Sequence, residues 1–280
     1  MVALSLDMGN STTIENLEIT LLLEAIFHRF GDDFRNHQRE VIRRKLRDFM
    51  HTHDIPTISV LQHLVLHDNT YIDALLRALD AHNAGLFDHP DHTVELRKLI
   101  VPWLRSCPAP KIWISDCSVA EDAYELAIVL MEEDLLHKTL IFATGTNATL
   151  LSEAREGKFP LVKQAQYEKN YLRAGGTRSL NNYFKQEGDA AIFHPELGRN
   201  ITWAQYNVGT DASFNEFELI VCRGGLSEYT SRLRRRALKL FHESLPPFGI
   251  LSIVDTNFTE LMPYILHYTA VSPKQGLYRK

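Results

Sequence analysis

The second half of the chain alternates short β-type runs with amphipathic helical stretches, and this alternation limits the fold more than any other feature. After Pro108-Ala109-Pro110 come Lys111–Ser115 (KIWIS), a turn, and a helical pattern from about Glu121 to Glu133. Thr139–Ala143 (TLIFA) follows, with a second helical pattern near Leu150–Arg155. Phe217–Cys222 (FELIVC), a helix over Ser231–Ser244 and Phe248–Val254 (FGILSIV) repeat the theme. Strands separated by helices favour a mostly parallel sheet covered by helices, an α/β Rossmann-like domain. Ligands of such sheets sit beyond the carboxyl ends of the strands. The turns after Ser115, Ala143 and Cys222 are therefore where a ligand is expected.

Two segments depart from this rhythm. From Ile14 to Leu79 the period is helical: Leu21, Leu22, Ala25 and Ile26 make one apolar face, and Ile42, Leu46 and Phe49 another. Asp54-Ile55-Pro56-Thr57 breaks the run, and Thr57 or Ser59 suits the cap of the next helix. The spacing predicts a small N-terminal helical domain over residues 12–82 and an α/β domain over 83–280. Inside the latter, Tyr167–Phe193 carries Gly175-Gly176, Gly188 and several aromatics, and reads as a small inserted β subdomain over about 167–193.

Composition narrows the function classes. The chain has 280 residues, 45% hydrophobic and 23% charged, which is ordinary globular usage. A formal charge of −5 gives no reason to expect nucleic acid or a membrane surface as partner. Arg232, Arg234, Arg235, Arg236 and Lys239 form a basic run without interleaved aromatics, so it too reads as a helix face. No apolar run approaches the ~20 residues of a membrane span, and MVALSLDMGNSTT lacks the basic and apolar regions of a signal peptide. Cys107, Cys117 and Cys222 form no CxxC pair, which fits a reducing cytoplasm. His63/His67 and His89/His92 have helical metal-ligand spacing but no third ligand nearby, so they read as surface or capping histidines, and no metal is expected.

Several motifs then occur in one order. Trp113-Ile114-Ser115-Asp116-Cys117-Ser118-Val119-Ala120-Glu121-Asp122-Ala123-Tyr124 resembles W-x-A-G-C-S-T-G-E-E-x-Y, and Ala143-Thr144-Gly145-Thr146-Asn147 resembles A-T-D-I-N. Ala154–Pro160 resembles A-x-x-G-x-Y-P, Asn170–Gly176 resembles N-Y-x-x-A-G-G, Asn207-Val208 stands for N-L, and Cys222–Leu226 for C-R-N-V-L. Arg29–Arg35 resembles R-Y-G-x-D-F-R. Together they resemble the chemotaxis-receptor methyltransferase (CheR) family over nearly the whole chain. The resemblance implies a protein-glutamate methyltransferase that uses S-adenosylmethionine and acts on chemoreceptors. It assigns cofactor-binding positions to Glu121, Asn147, Asn207 and Arg223, with Glu121 taking the cofactor ammonium.

Other positions of that pattern are substituted. The Asp that would accept from the ribose hydroxyls is Gly145, and a charge-assisted hydrogen bond of that kind is worth roughly 1.5–3 kcal/mol. The Arg of T-x-x-F-R, which would pair with the cofactor carboxylate, is Asp88. The two glycines of G-C-S-T-G are Asp116 and Ala120, the Asn of C-R-N is Gly224, and the Tyr of the following I-Y-F is Glu228. Glycine serves such turns because backbone approaches the ligand. These changes converge on one pocket, so the sequence places first a degenerate methyltransferase acting through protein contacts in a chemotaxis or related sensory pathway. An active glutamate methyltransferase is the alternative, and a sensor of another small molecule in the altered pocket ranks third. A chemoreceptor or other signalling protein is the expected partner. Its docking residues would be the basic face of Arg39, Arg43, Arg44 and Arg47, which reads slightly better as a solvated helix face, and the Gly175-Gly176 turn.

Overall fold

The computed structural model describes residues 3–80, 84–254 and 266–280, with the side chains of residues 3–12 outside that description. The expected domain boundary at 82/83 lies outside the described residues. The chain divides into two compact units, Met1–Ala81 with Glu228–Leu233, and His82–Ser227 with Arg234–Lys280.

The first unit contains α1 (Ala3–Phe30), α2 (Arg39–Thr52), α3 (Ile58–His67) and α4 (Asn69–Asp80). Its core joins Ile19, Leu22, Leu23 and Ile26 of α1 to Ile42, Leu46 and Phe49 of α2, with Leu61 and Leu75. Leu21, expected on that apolar face, lies on the far side of α1 and is 49% exposed, because the buried stripe runs through 19, 22, 23 and 26. Thr57 does cap α3, its hydroxyl accepting from the Val60 amide at 3.2 Å. Residues 228–233 complete the unit. Tyr229 bridges His37 in antiparallel fashion, the Thr230 amide donates to the Asn36 carbonyl at 2.8 Å, and the Lys45 ammonium reaches Glu228 at 2.8 Å.

The second unit opens with α5 (Pro90–Glu95), a π turn over Leu96–Ile100 and α6 (Val101–Ser106). Pro102 cannot donate to the preceding turn, and the helix widens just before it. There follow β1 (Lys111–Ser115), α7 (Ala120–Glu132), β2 (Leu140–Gly145), α8 (Ala148–Arg155), β3 (Lys158–Pro160), α9 (Gln164–Arg173), β4 (Phe184–Glu187), β5 (Ala190–Phe193), α10 (Pro195–Gly198) and β6 (Ile201–Gln205). The chain continues through β7 (Leu219–Arg223), α11 (Gly225–Glu228), α12 (Ser231–Ser244), β8 (Ile250–Val254), β9 (Thr269–Ser272) and β10 (Leu277–Arg279).

Among the described residues, seven strands form the main sheet in the order β6-β2-β1-β7-β8-β10-β9. The first five are parallel, and β10 and β9 add antiparallel pairs at one edge. The expected α/β Rossmann-like class is thus the observed one. The order reverses between β1 and β7, which pair Ser115 with Cys222, and this is the switch point where open sheets hold ligands. Trp113 anchors β1 from beneath: it is fully buried, ringed by Phe217, Phe241, Phe214 and Tyr206, and donates to the Thr144 hydroxyl at 2.7 Å. The inserted sheet is three-stranded and antiparallel, β3-β5-β4. Its first strand comes from Lys158–Pro160, ahead of the segment expected, and α9 takes up the start of that segment as far as Arg173. Pro160 is tolerated because β3 is an edge strand. No described helix is long and apolar enough to cross a membrane.

Candidate functional site

β1 ends at Ser115, and Asp116 takes a left-handed conformation (φ 60°), the geometry of the glycine that the motif carries there. The backbone then folds back on β2, the Cys117 amide donating to the Thr144 carbonyl at 2.7 Å. Cys117 and Cys222 are buried, and burial raises the Cys117 thiol well above the ordinary range, consistent with structural thiols. α7 starts at Ala120, itself buried, and puts Glu121 and Asp122 in its first turn, where acids complement the helix dipole.

Three carboxylates of α7 are taken out of water: Glu121, Asp122 and Glu125. Glu125 is fully engaged. It accepts from the Phe87 amide at 2.8 Å, from the Thr93 hydroxyl at 2.9 Å, and from the Arg223 guanidinium at 2.8 Å. Arg223 also lies 3.8 Å from Asp122. Burial works against the charge on Arg223, but Glu125 and Asp122 outweigh it and hold the guanidinium firmly protonated. Beside this pair, His92 is buried and hydrogen-bonded to the Ser252 hydroxyl at 2.8 Å. Its pKa is pushed down to about 3 by burial and by Arg223, so the expectation of a surface or capping histidine is wrong for this residue. Its partner in that spacing, His89, stands half-buried ahead of α5, and no cluster able to hold a metal occurs among the described residues.

Glu121 is held differently. It is 4% exposed, accepts from the Tyr167 hydroxyl at 2.7 Å, and lies 3.7 Å from the Lys163 ammonium. Burial and the Glu121 bond together keep Tyr167 protonated well above the usual phenol range. Asp88, at the substituted Arg position, closes its own turn by accepting from the Gly85 amide at 2.8 Å. Phe87 before it is left-handed (φ 56°), which aims its amide at Glu125.

The β2 end is shaped by backbone. A Cβ at Gly145 would stand 2.6 Å from the Cys117 carbonyl oxygen, so no side chain fits there without a shift of the β1 turn. Asn147 caps α8, its side-chain oxygen accepting from the Thr149 and Leu150 amides, both at 3.0 Å. Asn207 accepts from the Gly209 amide at 2.8 Å and so shapes its own loop. At the β7 end, Gly224 is left-handed (φ 76°) and donates to the Val254 carbonyl at 3.1 Å. Glu228, at the substituted Tyr position, is paired with Lys45 in the helical unit.

The structure therefore brings Glu121, Asp116, Ala120, Gly145, Asn147, Arg223 and Gly224 to the carboxyl ends of β1, β2 and β7, with the Asp88 charge felt by Arg223. Asn207 lies just beyond β6 at that same end of the sheet. The expected docking residues belong to α2 and to the turn after α9. Arg43 is largely buried against Glu15 and Asn16, Arg39 donates to the Thr20 hydroxyl, and Arg44 and Arg47 are exposed. Gly175 ends α9 in a left-handed turn (φ 86°), and a Cβ at Gly176 would fall 2.3 Å from the Tyr171 ring, so packing alone requires glycine there. In the second basic run, Arg234 is buried and donates to the Leu226 carbonyl at 2.9 Å, while its neighbours are exposed.

Sequence reading passed over Lys163, Thr93 and the roles of Tyr167 and Glu125. Glu125 carried a usable signal, since it follows Glu121 by one helical turn on a helix buried on all sides. Lys163 and Tyr167 carried none, because their contact with Glu121 spans more than forty residues of chain.

Residues 83–260 match the family described as CheR methyltransferase, SAM binding domain, and residues 17–79 that described as CheR methyltransferase, all-alpha domain. A Pseudomonas putida protein carrying the name methyltransferase Cher3 is 36% identical over 95% of this chain and 97% of its own. The chemotaxis protein methyltransferase of Listeria innocua is 23% identical over 80% of this chain and 83% of its own. A solved structure, the glycopeptide N-methyltransferase MtfA, aligns over 58% of this chain and 52% of its own, at 12% identity and a TM-score of 0.36.

Proposed function

The chain belongs to the CheR methyltransferase family, and on that premise we propose that it methylates glutamate carboxylates of a chemoreceptor-type protein, using S-adenosylmethionine in the cytoplasm. The observation that carries this reading is the buried Glu121 carboxylate at the β1–β7 switch point, oriented by Tyr167. It suits an α-ammonium group, which gains from a desolvated anion with a fixed direction. The cofactor supplies a methyl group on a sulfonium. Moving it to a carboxylate oxygen requires no proton transfer, so the chain's part is to position and to exclude water. The left-handed turns at Asp116 and Gly224 bring backbone to the sheet edge for that purpose. The sequence placed the non-catalytic reading first; the family match over most of the chain and the intact Glu121 arrangement favour the catalytic one.

A degenerate cofactor grip is the second reading, and Gly145 favours it. No carboxylate stands at the ribose position, and the space for its Cβ is taken by the Cys117 carbonyl. Titration calorimetry with S-adenosylhomocysteine, followed by transfer of labelled methyl to receptor glutamates, separates the two. Binding in the micromolar range with transfer supports the methyltransferase. Binding without transfer, or neither at saturating cofactor, overturns it in favour of the protein-contact role.

A further inference from the structure

Glu121 and Lys163 form an unequal pair. The carboxylate is 6% exposed at its side chain, whereas the lysine is 46% exposed. Lys163 closes the short 3-10 turn Leu161–Lys163 between β3 and α9, and its ammonium stands 5.9 Å from the centre of the Tyr167 ring. At 3.7 Å the contact with Glu121 is looser than a direct hydrogen bond. A buried anion left without a counter-charge is strongly disfavoured, while releasing a half-solvated lysine from such a contact is easy. Arg223, which ends β7, is committed to Glu125 and Asp122. Asp88 adds further negative charge in the field of Tyr167. Glu121 is thus paired with a cation whose partial exposure makes it easy to remove.

We infer that Lys163 is the resting counter-ion of Glu121 and that an incoming ligand must replace it with a primary ammonium of its own. Lys163 is then a specificity-determining residue: it faces the carboxylate when the site is free, and it competes with ligands at the ammonium position alone. This rests on the reading of the site as one for an amino-acid-bearing nucleoside. A ligand that lacks the ammonium gains nothing from displacing Lys163 and leaves it in place.

The test compares two ligands on two folded proteins, wild type and Lys163→Met, which keeps most of the length of the side chain and removes its charge. S-Adenosylhomocysteine carries the ammonium; 5′-methylthioadenosine does not. Calorimetry should show S-adenosylhomocysteine binding tighter to Lys163→Met by about two- to fivefold, the weight of a half-solvated ion pair. Methylthioadenosine affinity should not change. Equal tightening of both ligands would mean that the lysine merely narrows the pocket, and weaker binding of S-adenosylhomocysteine would mean that it supports the ligand; either overturns the inference. Unchanged S-adenosylhomocysteine affinity overturns it too but leaves the cofactor reading standing. Absence of S-adenosylhomocysteine binding to either protein, with both melting cooperatively, removes the inference and the cofactor reading together.

Discussion

The β1–β7 end of the site and the β2 end lie on one edge of one sheet, yet different forces shape them. At β1–β7 the structure concentrates charge. Glu121, Asp122, Glu125 and Arg223 are buried, and their partners Phe87, Thr93 and Tyr167 come from distant segments. At β2 the polar side chains serve the local backbone: Asn147 bonds amides two and three residues on, Asn207 an amide two residues on, and Gly145 gives way to a carbonyl. A buried charge network fixes the first end and tolerates little change. Tight backbone packing fixes the second, and that packing leaves no room for a side chain at Gly145.

Replacing Arg223 with Met is the most severe way to break this contrast. It strands Glu125 and Asp122 without their cation, and removing one member of a buried ion pair costs about 3–5 kcal/mol. Chemical denaturation should show a loss of that size. A loss below about 1 kcal/mol, the range of an exposed pair, would mean that the network is not what holds this end together.

How much of this was legible in the sequence follows the same divide. β1 was readable to the residue, and so was α12, because periodicity is a local property. Glu121, Arg223 and Gly145 could be picked out from motif order, and so could the left-handed turn at Asp116 from the glycine it replaces. Their partners could not. Thr93 and Phe87 meet Glu125 across 32 and 38 residues, and Lys45 meets Glu228 across 183, so no window of sequence contains both halves of the contact. His92 was misjudged for this reason: its burial depends on Ser252, 160 residues away. Gly145 was visible as a departure from the motif, but the crowding around it required the fold that brings Cys117 against β2.

Gly145→Ala sharpens the comparison at the other end. The added methyl group meets the Cys117 carbonyl at 2.6 Å, and the β1 turn must move to admit it. Overpacking of this kind costs about 1–3 kcal/mol. Gly145→Asp should be at least as destabilising and should not tighten S-adenosylhomocysteine binding, because the same shift precedes any ribose contact. If Gly145→Asp melts like the wild type and binds the ligand more tightly, backbone packing is not the constraint at β2.

The smallest effect belongs to Asn147, and it decides whether the β2 end is structural throughout. Both amides that its side-chain oxygen accepts from belong to the first turn of α8, so the oxygen is committed to the cap. Asn147→Ala should destabilise the protein by about 1 kcal/mol, the usual weight of an N-cap, and Asn147→Ser should recover most of it. Ligand affinity should follow neither change, since the cap bonds are present with or without a ligand. If Asn147→Ser restores stability while S-adenosylhomocysteine binding stays weak, the Asn147 amide nitrogen reaches the ligand. Side-chain recognition would then extend to the β2 end, and the contrast between the two ends would narrow to Gly145 alone.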